Sequence, residues 1–161
     1  MTYFTYHQSP IGRLLLAGKE KCLEHLHFSS GSKARGPDEC WVEAAEAFAG
    51  VARQLAEYFA GRRREFEVAL QPAGTPFQLA VWEELCRIPY GETTSYGQLA
   101  KRLGRPDASR AVGMANGSNP IAIIQPCHRV IGASGKLTGF GGGLDLKQAL
   151  LELERGEQRL F

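Results

Sequence analysis

Apolar and polar residues alternate along the opening of the chain and then fall into a helical period. Tyr3 to Tyr6 and Arg13 to Ala17 flank the turn-forming run Ser9-Pro10-Ile11-Gly12, and Cys22 to Phe28 follows a turn at Gly18, which together predict an antiparallel meander. Ser29 to Glu39, rich in glycine, serine and charge, reads as a loop. From Trp41 the apolar residues Ala44, Ala45, Phe48, Val51, Ala52, Leu55, Tyr58 and Phe59 recur at the spacing that gives a helix one buried stripe. Phe66, Val68 and Leu70 then alternate as a strand should. This stretch reads as scaffold, with no chemistry of its own.

Gln71-Pro72-Ala73-Gly74 breaks the pattern and marks the expected division into residues 1–74 and 75–161. Thr75 followed by Pro76 supplies an N-cap and a first-turn proline, and Phe77, Ala80, Val81, Leu85 and Ile88 give the helix that follows its core face. Pro89-Tyr90-Gly91 stops it. A second helix, from about Ser95 to Leu103, buries Leu99, Ala100 and Leu103; Gly104-Arg105-Pro106 ends it, and Ser109 to Asn116 begins a third. Two short helices about a glycine-containing turn are the helix-turn-helix pattern. The expected fold class is α+β: a small antiparallel sheet with a helix, then a mainly helical domain carrying the helix-turn-helix. The third helix is bare, with Ala108, Ala111, Gly113, Ala115 and Gly117 around Arg110. Such a helix suits close approach to another surface or tight packing inside its own domain.

Composition narrows the classes. The chain has 161 residues and a net charge of +2, which gives no global attraction to nucleic acid, so any basic surface has to be local. Lys101, Arg102, Arg105, Arg110 and Arg129 are the candidates. No apolar run reaches the roughly 20 residues of a membrane span, and Met1-Thr2-Tyr3-Phe4 lacks the regions of a secretory leader, so the expected compartment is the cytoplasm. Cys22, Cys40, Cys86 and Cys127 are too irregular for a disulfide framework. Cys22, His25, His27 and Cys40 do not follow a zinc spacing, and no metal or other cofactor is expected.

Pro126-Cys127-His128-Arg129-Val130 joins a sulfur nucleophile to a base. A thiol attacks as thiolate and ionises near pH 8.5 when free, so it needs a cation or hydrogen bonds, which His128 and Arg129 could supply. On these residues alone a buried structural cysteine is the better fit.

The flanking sequence adds Asn119-Pro120-Ile121-Ala122-Ile123-Ile124 upstream and the run from Gly132 to Gly143 downstream. Earlier lies Ser109-Arg110-Ala111-Val112-Gly113-Met114-Ala115-Asn116. The ordered set, dense from Thr75 to Leu153, resembles the O6-alkylguanine-DNA alkyltransferases, which move an alkyl group from guanine O6 onto a cysteine of their own. The resemblance implies that Cys127 is the acceptor, that His128 takes its proton through water, and that Glu154 orients His128. Tyr96 would donate toward guanine N3. Asn119 would brace the cysteine loop, while Val130, Phe140, Gly141 and Gly142 would wall the base pocket. The third helix would enter the minor groove of double-stranded DNA, with Arg110 filling the gap left by the flipped nucleotide and Ala111, Gly113, Thr94, Ser95 and Arg129 contributing to DNA binding. A monomer with no membrane partner is expected. Gln125 departs from the family's usual aliphatic residue, and a buried unpaired amide costs about 1–3 kcal/mol, so it must find partners or solvent and could displace the loop. Three other readings stay open: recognition of alkylated DNA without repair, against which Cys127 itself argues; a cysteine hydrolase, which would need an oxyanion hole and turnover; and a purely regulatory DNA-binding module, which would show sequence-specific affinity with no covalent change.

Overall fold

The computed structural model describes residues 1–29, 31, 34–138, 140 and 143–156. It is an α+β structure. Strands β1 (Tyr3–Ser9), β2 (Gly12–Lys19) and β3 (Cys22–Phe28) form the antiparallel meander, and β4 (Val42–Glu43) joins β1 in parallel, giving the order β3-β2-β1-β4. Gly12 makes the first hairpin turn with φ of 109°, a conformation that costs glycine little. One face of the sheet buries Leu14, Leu16, Leu23, Leu26 and Phe28.

The helix anticipated from Trp41 begins later. Trp41 stays outside it, a 3-10 turn occupies Ala45–Phe48, and α1 runs over Ala49–Phe59. Leu55, Tyr58 and Phe59 are its buried stripe and pack on the sheet. The strand anticipated at Phe66, Val68 and Leu70 does not form as a regular element. These side chains do pack on the core, but only the backbone around Leu70 pairs, with Leu23 donating to Ala69 O at 2.8 Å and Gln71 donating to Leu23 O at 2.8 Å.

In the rest of the chain α2 (Pro76–Leu85), α3 (Tyr96–Arg102) and α4 (Ser109–Gly117) surround a second core of Val81, Trp82, Leu85, Ile88, Leu99, Ala100, Val112, Ala115 and Val130. Thr75 and Ser95 each open a helix with a reciprocal capping box, to Gln78 and Gln98 respectively. Gly104, at φ 73°, ends the second of these helices, and the Trp82 indole ties α2 to α4 by donating to Ala115 O at 2.8 Å. A short parallel pair, β5 (Thr94–Ser95) with β6 (Val130–Ile131), links α3 to the cysteine segment, and α5 (Leu144–Arg155) closes the structure.

The two cores are not separate. Ile121, Ala122, Ile123, Ile124, Leu150 and Leu153 belong to the first, beside the sheet residues. Edge strand β3 also pairs with the loop ahead of the cysteine: Leu26 donates to Pro120 O at 2.9 Å, and Ala122 donates to Leu26 O at 3.1 Å. The sheet thus satisfies an edge that would otherwise stay open and fixes where the cysteine loop begins.

Candidate active site

Two γ-turns deliver the cysteine. Ile123 has φ of 70°, strained for a β-branched residue, and Ile124 donates to Ala122 O at 2.8 Å around it. Pro126, with φ −78° and ψ 69°, centres an inverse γ-turn in which Cys127 donates to Gln125 O at 2.7 Å. Proline suits that turn because its ring already fixes φ. A 3-10 turn over Cys127–Arg129 follows, and all three of its residues are buried.

Asn119 spans the loop. Its Nδ2 donates to Gln125 O at 2.7 Å while its Oδ1 accepts from Ile121 N at 3.0 Å and from Gln125 Nε2 at 2.7 Å. Gln125, 3% exposed, therefore has a partner for its buried amide in the side chain of Asn119.

Cys127 is 7% exposed. Burial pushes its thiol up; a hydrogen bond from Asn119, the Lys147 ammonium and the amides of Cys127 and His128 pull the other way without reversing it. Lys147 is fully buried on α5, where its Nζ donates to Val130 O at 2.6 Å and to Thr138 O at 2.8 Å. The cation near the sulfur is thus Lys147, and Arg129 serves elsewhere.

His128 is fully buried, with Nε2 at 2.7 Å from Glu154 Oε2. A carboxylate only accepts, so Nε2 carries a proton, which leaves Nδ1 as the basic nitrogen of the neutral ring. That Nδ1 is buried and has no hydrogen-bond partner among the described residues. Glu154 accepts further from Tyr58 Oη at 2.6 Å and from Arg129 Nε at 2.7 Å and Nη2 at 3.0 Å. Burial alone would raise this carboxyl, but the charges and hydrogen bonds of His128 and Arg129 outweigh it and hold Glu154 well below the usual carboxylate range.

Two DNA-binding assignments are corrected by this geometry. Arg129 is 6% exposed and engages Glu154 and, through Nη1, Ile88 O at 2.6 Å, so its guanidinium neutralises a buried charge and cannot reach a phosphate. Thr94 is 4% exposed, and its hydroxyl donates to Gln98 Oε1 at 3.0 Å. Ser95 is partly buried and its hydroxyl caps α3. Arg110 and Ala111, by contrast, are exposed on α4. Gly113 faces the Tyr96 ring, and the Tyr96 hydroxyl lies 3.0 Å from Thr138 Oγ1. Val130 is fully buried; Phe140 stacks obliquely on Phe28 with centroids 5.4 Å apart. Gly141 and Gly142 lie outside the described residues. His25 Nδ1 and His27 Nε2 are 3.1 Å apart, with Arg35 Nη1 also on His25, and Cys22 contacts Gln71. Among the described residues no His, Cys, Asp and Glu group is arranged to hold a metal.

Sequence reasoning missed Lys147 and Tyr58. Lys147 and Glu154 lie seven positions apart, in helical phase with Leu150 and Leu151, and a charge in phase with buried leucines is the signal that would have found it. Tyr58 carries no comparable signal, since its position in an apolar stripe explains the ring and says nothing of the hydroxyl.

One buried sulfur next to a buried imidazole–carboxylate pair, set beside a helix-turn-helix with an exposed arginine, defines a protein whose reagent is its own cysteine. Residues 76–156 match the family model described as the DNA-binding domain of 6-O-methylguanine DNA methyltransferase, and residues 2–72 match that of its ribonuclease-like domain. The chain belongs to this family. It is 55% identical over 152 residues to a methylated-DNA--protein-cysteine methyltransferase of Methanosarcina acetivorans, covering 94% of this chain and 97% of the relative. It is 56% identical over 148 residues to one from Mycolicibacterium paratuberculosis, with 91% and 88% covered. The crystal structure of Mycobacterium tuberculosis OGT in complex with DNA superposes with a TM-score of 0.91 at 52% identity, covering 96% of this chain and 94% of that one.

Proposed function

We propose that the protein binds double-stranded DNA and repairs O6-alkylguanine by moving the alkyl group, once and irreversibly, onto Cys127. The observation that carries this reading is the buried Nδ1 of His128, without a partner among the described residues, whose opposite nitrogen is fixed by Glu154 at 2.7 Å, on the residue next to a buried thiol. A nucleophile, a base and a group that orients the base are the parts such a transfer needs. The names of relatives more than 50% identical over nearly the whole chain support the same reaction.

The thiol proton passes to His128, through water because adjacent side chains seldom meet directly, while sulfur attacks the alkyl carbon. The S–C bond forms as the C–O6 bond breaks, and guanine leaves with a proton returned from His128. Tyr96 shifts its hydroxyl from Thr138 toward guanine N3, where negative charge develops. Val130 and Phe140 bound the base pocket, and Asn119 keeps the cysteine loop in place. The target base has to leave the stack, since no side chain reaches its O6 substituent in the duplex. Helix α4 enters the minor groove, Ala111 and Gly113 permit close approach, and Arg110 occupies the space the base vacates. In this division of labour residues 1–74 are scaffold and 75–161 bind DNA and carry the alkyl acceptor. The protein acts as a monomer, in the cytoplasm, where thiols stay reduced.

Incubation with O6-benzylguanine followed by intact-mass measurement tests the chemistry. One benzyl group per chain is expected, mapped to Cys127 and absent from Cys127→Ala. Labelling of another residue, or catalytic turnover, overturns the reading.

A further inference from the structure

Tyr58 lies 96 positions from Glu154 in sequence, on a helix that packs against the sheet, yet its hydroxyl donates to Glu154 Oε2 at 2.6 Å. That oxygen is the one facing His128 Nε2 at 2.7 Å, and it also accepts from Arg129 Nη2 at 3.0 Å. The ring is fully buried, edge-on to Phe59 and Tyr90 and tilted against Phe66. We propose that Tyr58 is a positioning residue of the proton relay, through which the sheet-bearing half of the chain sets the orientation and basicity of His128. The inference rests on the alkyl-transfer reading above.

The physical argument starts at Oε2. A hydrogen bond to a carboxylate oxygen draws on the charge that the same oxygen offers its other donors. Tyr58 therefore weakens the hold of Glu154 on the imidazolium and at the same time keeps the carboxylate from turning off His128. Burial and the neighbouring Glu154 keep the phenol protonated, so it acts only as a donor toward the carboxylate. Among the described residues the ionisable groups around the relay are Tyr58 from α1, Cys86 near Arg129, Tyr90 with Arg64 over its ring, His128 and Arg129 from the cysteine turn, and Glu154 from α5, with Lys147 on the sulfur side. Tyr90 is the natural comparison. It stands beside the same cluster, but the partners of the Glu154 oxygens among the described residues are Tyr58, His128 and Arg129.

The test is the rate of benzyl transfer to Cys127 against pH for the parent, Tyr58→Phe and Tyr90→Phe. Phenylalanine keeps the buried ring and removes only the hydroxyl. With Oε2 relieved of one donor, Glu154 holds the imidazolium more strongly, so His128 takes a proton from solvent at higher pH and its Nδ1 is closed to the thiol's proton there. The acid-side midpoint of the profile should move up by about 0.5–1 unit in Tyr58→Phe, slowing transfer on that side, and stay fixed in Tyr90→Phe. The His128 Nε2 proton resonance should move in the first variant alone. Should Tyr58→Phe keep the parent midpoint, whether its rates coincide or are scaled equally at every pH, the hydroxyl is only structural and the proposal is wrong. A parent that never gains benzyl mass sinks the alkyl-transfer reading instead.

Discussion

Replacing Glu154 by glutamine changes one oxygen to an amide and should cost both stability and rate. The carboxylate is buried and accepts four hydrogen bonds, three at Oε2 and one at Oε1. An amide presents one oxygen and one NH2. With the oxygen at the Oε2 position, the NH2 meets the Arg129 Nε–H; turned over, it meets Tyr58, His128 and Arg129 together. Either way a donor faces a donor, and the buried Arg129 loses its counter-charge. Breaking a buried pair from one side costs about 3–5 kcal/mol. For a chain of this size about 1 kcal/mol moves the unfolding midpoint by about 2–4 °C, so the variant should melt about 6–20 °C lower than the parent. Native stabilities of about 5–15 kcal/mol leave it folded at low temperature, where the chemistry can be followed separately. There the loss of an oriented base should slow benzyl transfer by about 10²–10⁴-fold. Thermal unfolding at neutral pH and intact-mass kinetics on the folded variant read the two effects. A midpoint within about 2 °C of the parent, or transfer at the parent rate, would show that the described cluster is not what holds and arms His128.

Arg110→Ala should leave the unfolding midpoint within about 1–2 °C, since the side chain is exposed, and leave transfer from free O6-benzylguanine unchanged, while transfer from an alkylated duplex falls. Equal losses on both substrates would place Arg110 in the chemistry and not on DNA. Trp82→Phe removes the indole donor to Ala115 O and part of a fully packed ring, and should cost about 1–3 kcal/mol in chemical denaturation. Stability should also depend on pH through the histidines of the sheet. Burial first, then His25 and Arg35, lower His27 to about 4, and burial lowers His7 and His25 in the same direction. The unfolded chain binds more protons between pH 6.5 and about 4, so stability rises with pH across that window and is lost as pH falls through it. Melting midpoints should decline from pH 7 to pH 4.5, less steeply in His27→Gln; a flat profile in the parent contradicts the assignment.

Local signals carried the elements well. The three strands, the capped start at Thr75 and Pro76, and the helix pair about Gly104 all follow from alternation, caps and breakers that act within a few residues. Trp41 misled the helix boundary because its ring belongs to a different contact, stacked on His25 and Arg35, and periodicity cannot tell one apolar contact from another. The γ-turn at Ile123 was illegible, since nothing in a β-branched residue predicts a positive φ; the β3 edge, far off in sequence, and the Asn119 side chain, which binds Ile121 N and Gln125, flank the turn on both sides. Arg129 shows the same limit for charge. An arginine beside a cysteine reads as surface or as thiolate partner, and only the position of Glu154 on a helix 25 residues later decides that it is neither.

The direction of the Cys127 shift suits a reagent that can be used once. A thiolate standing ready would react with any electrophile that reached it, and each such event would consume the molecule. Burial keeps the sulfur protonated at rest, while Lys147, Asn119 and two backbone amides leave the thiolate within reach once the proton has somewhere to go. The acceptor is already in place, because Glu154 has fixed which nitrogen of His128 is free. Reactivity is thereby tied to occupancy: a base seated against the sulfur excludes water from the last exposed face and brings the alkyl carbon into line at the same moment. The opposite arrangement, an exposed low-pKa cysteine of the redox-sensor kind, would gain speed and lose the restraint that a stoichiometric acceptor depends on.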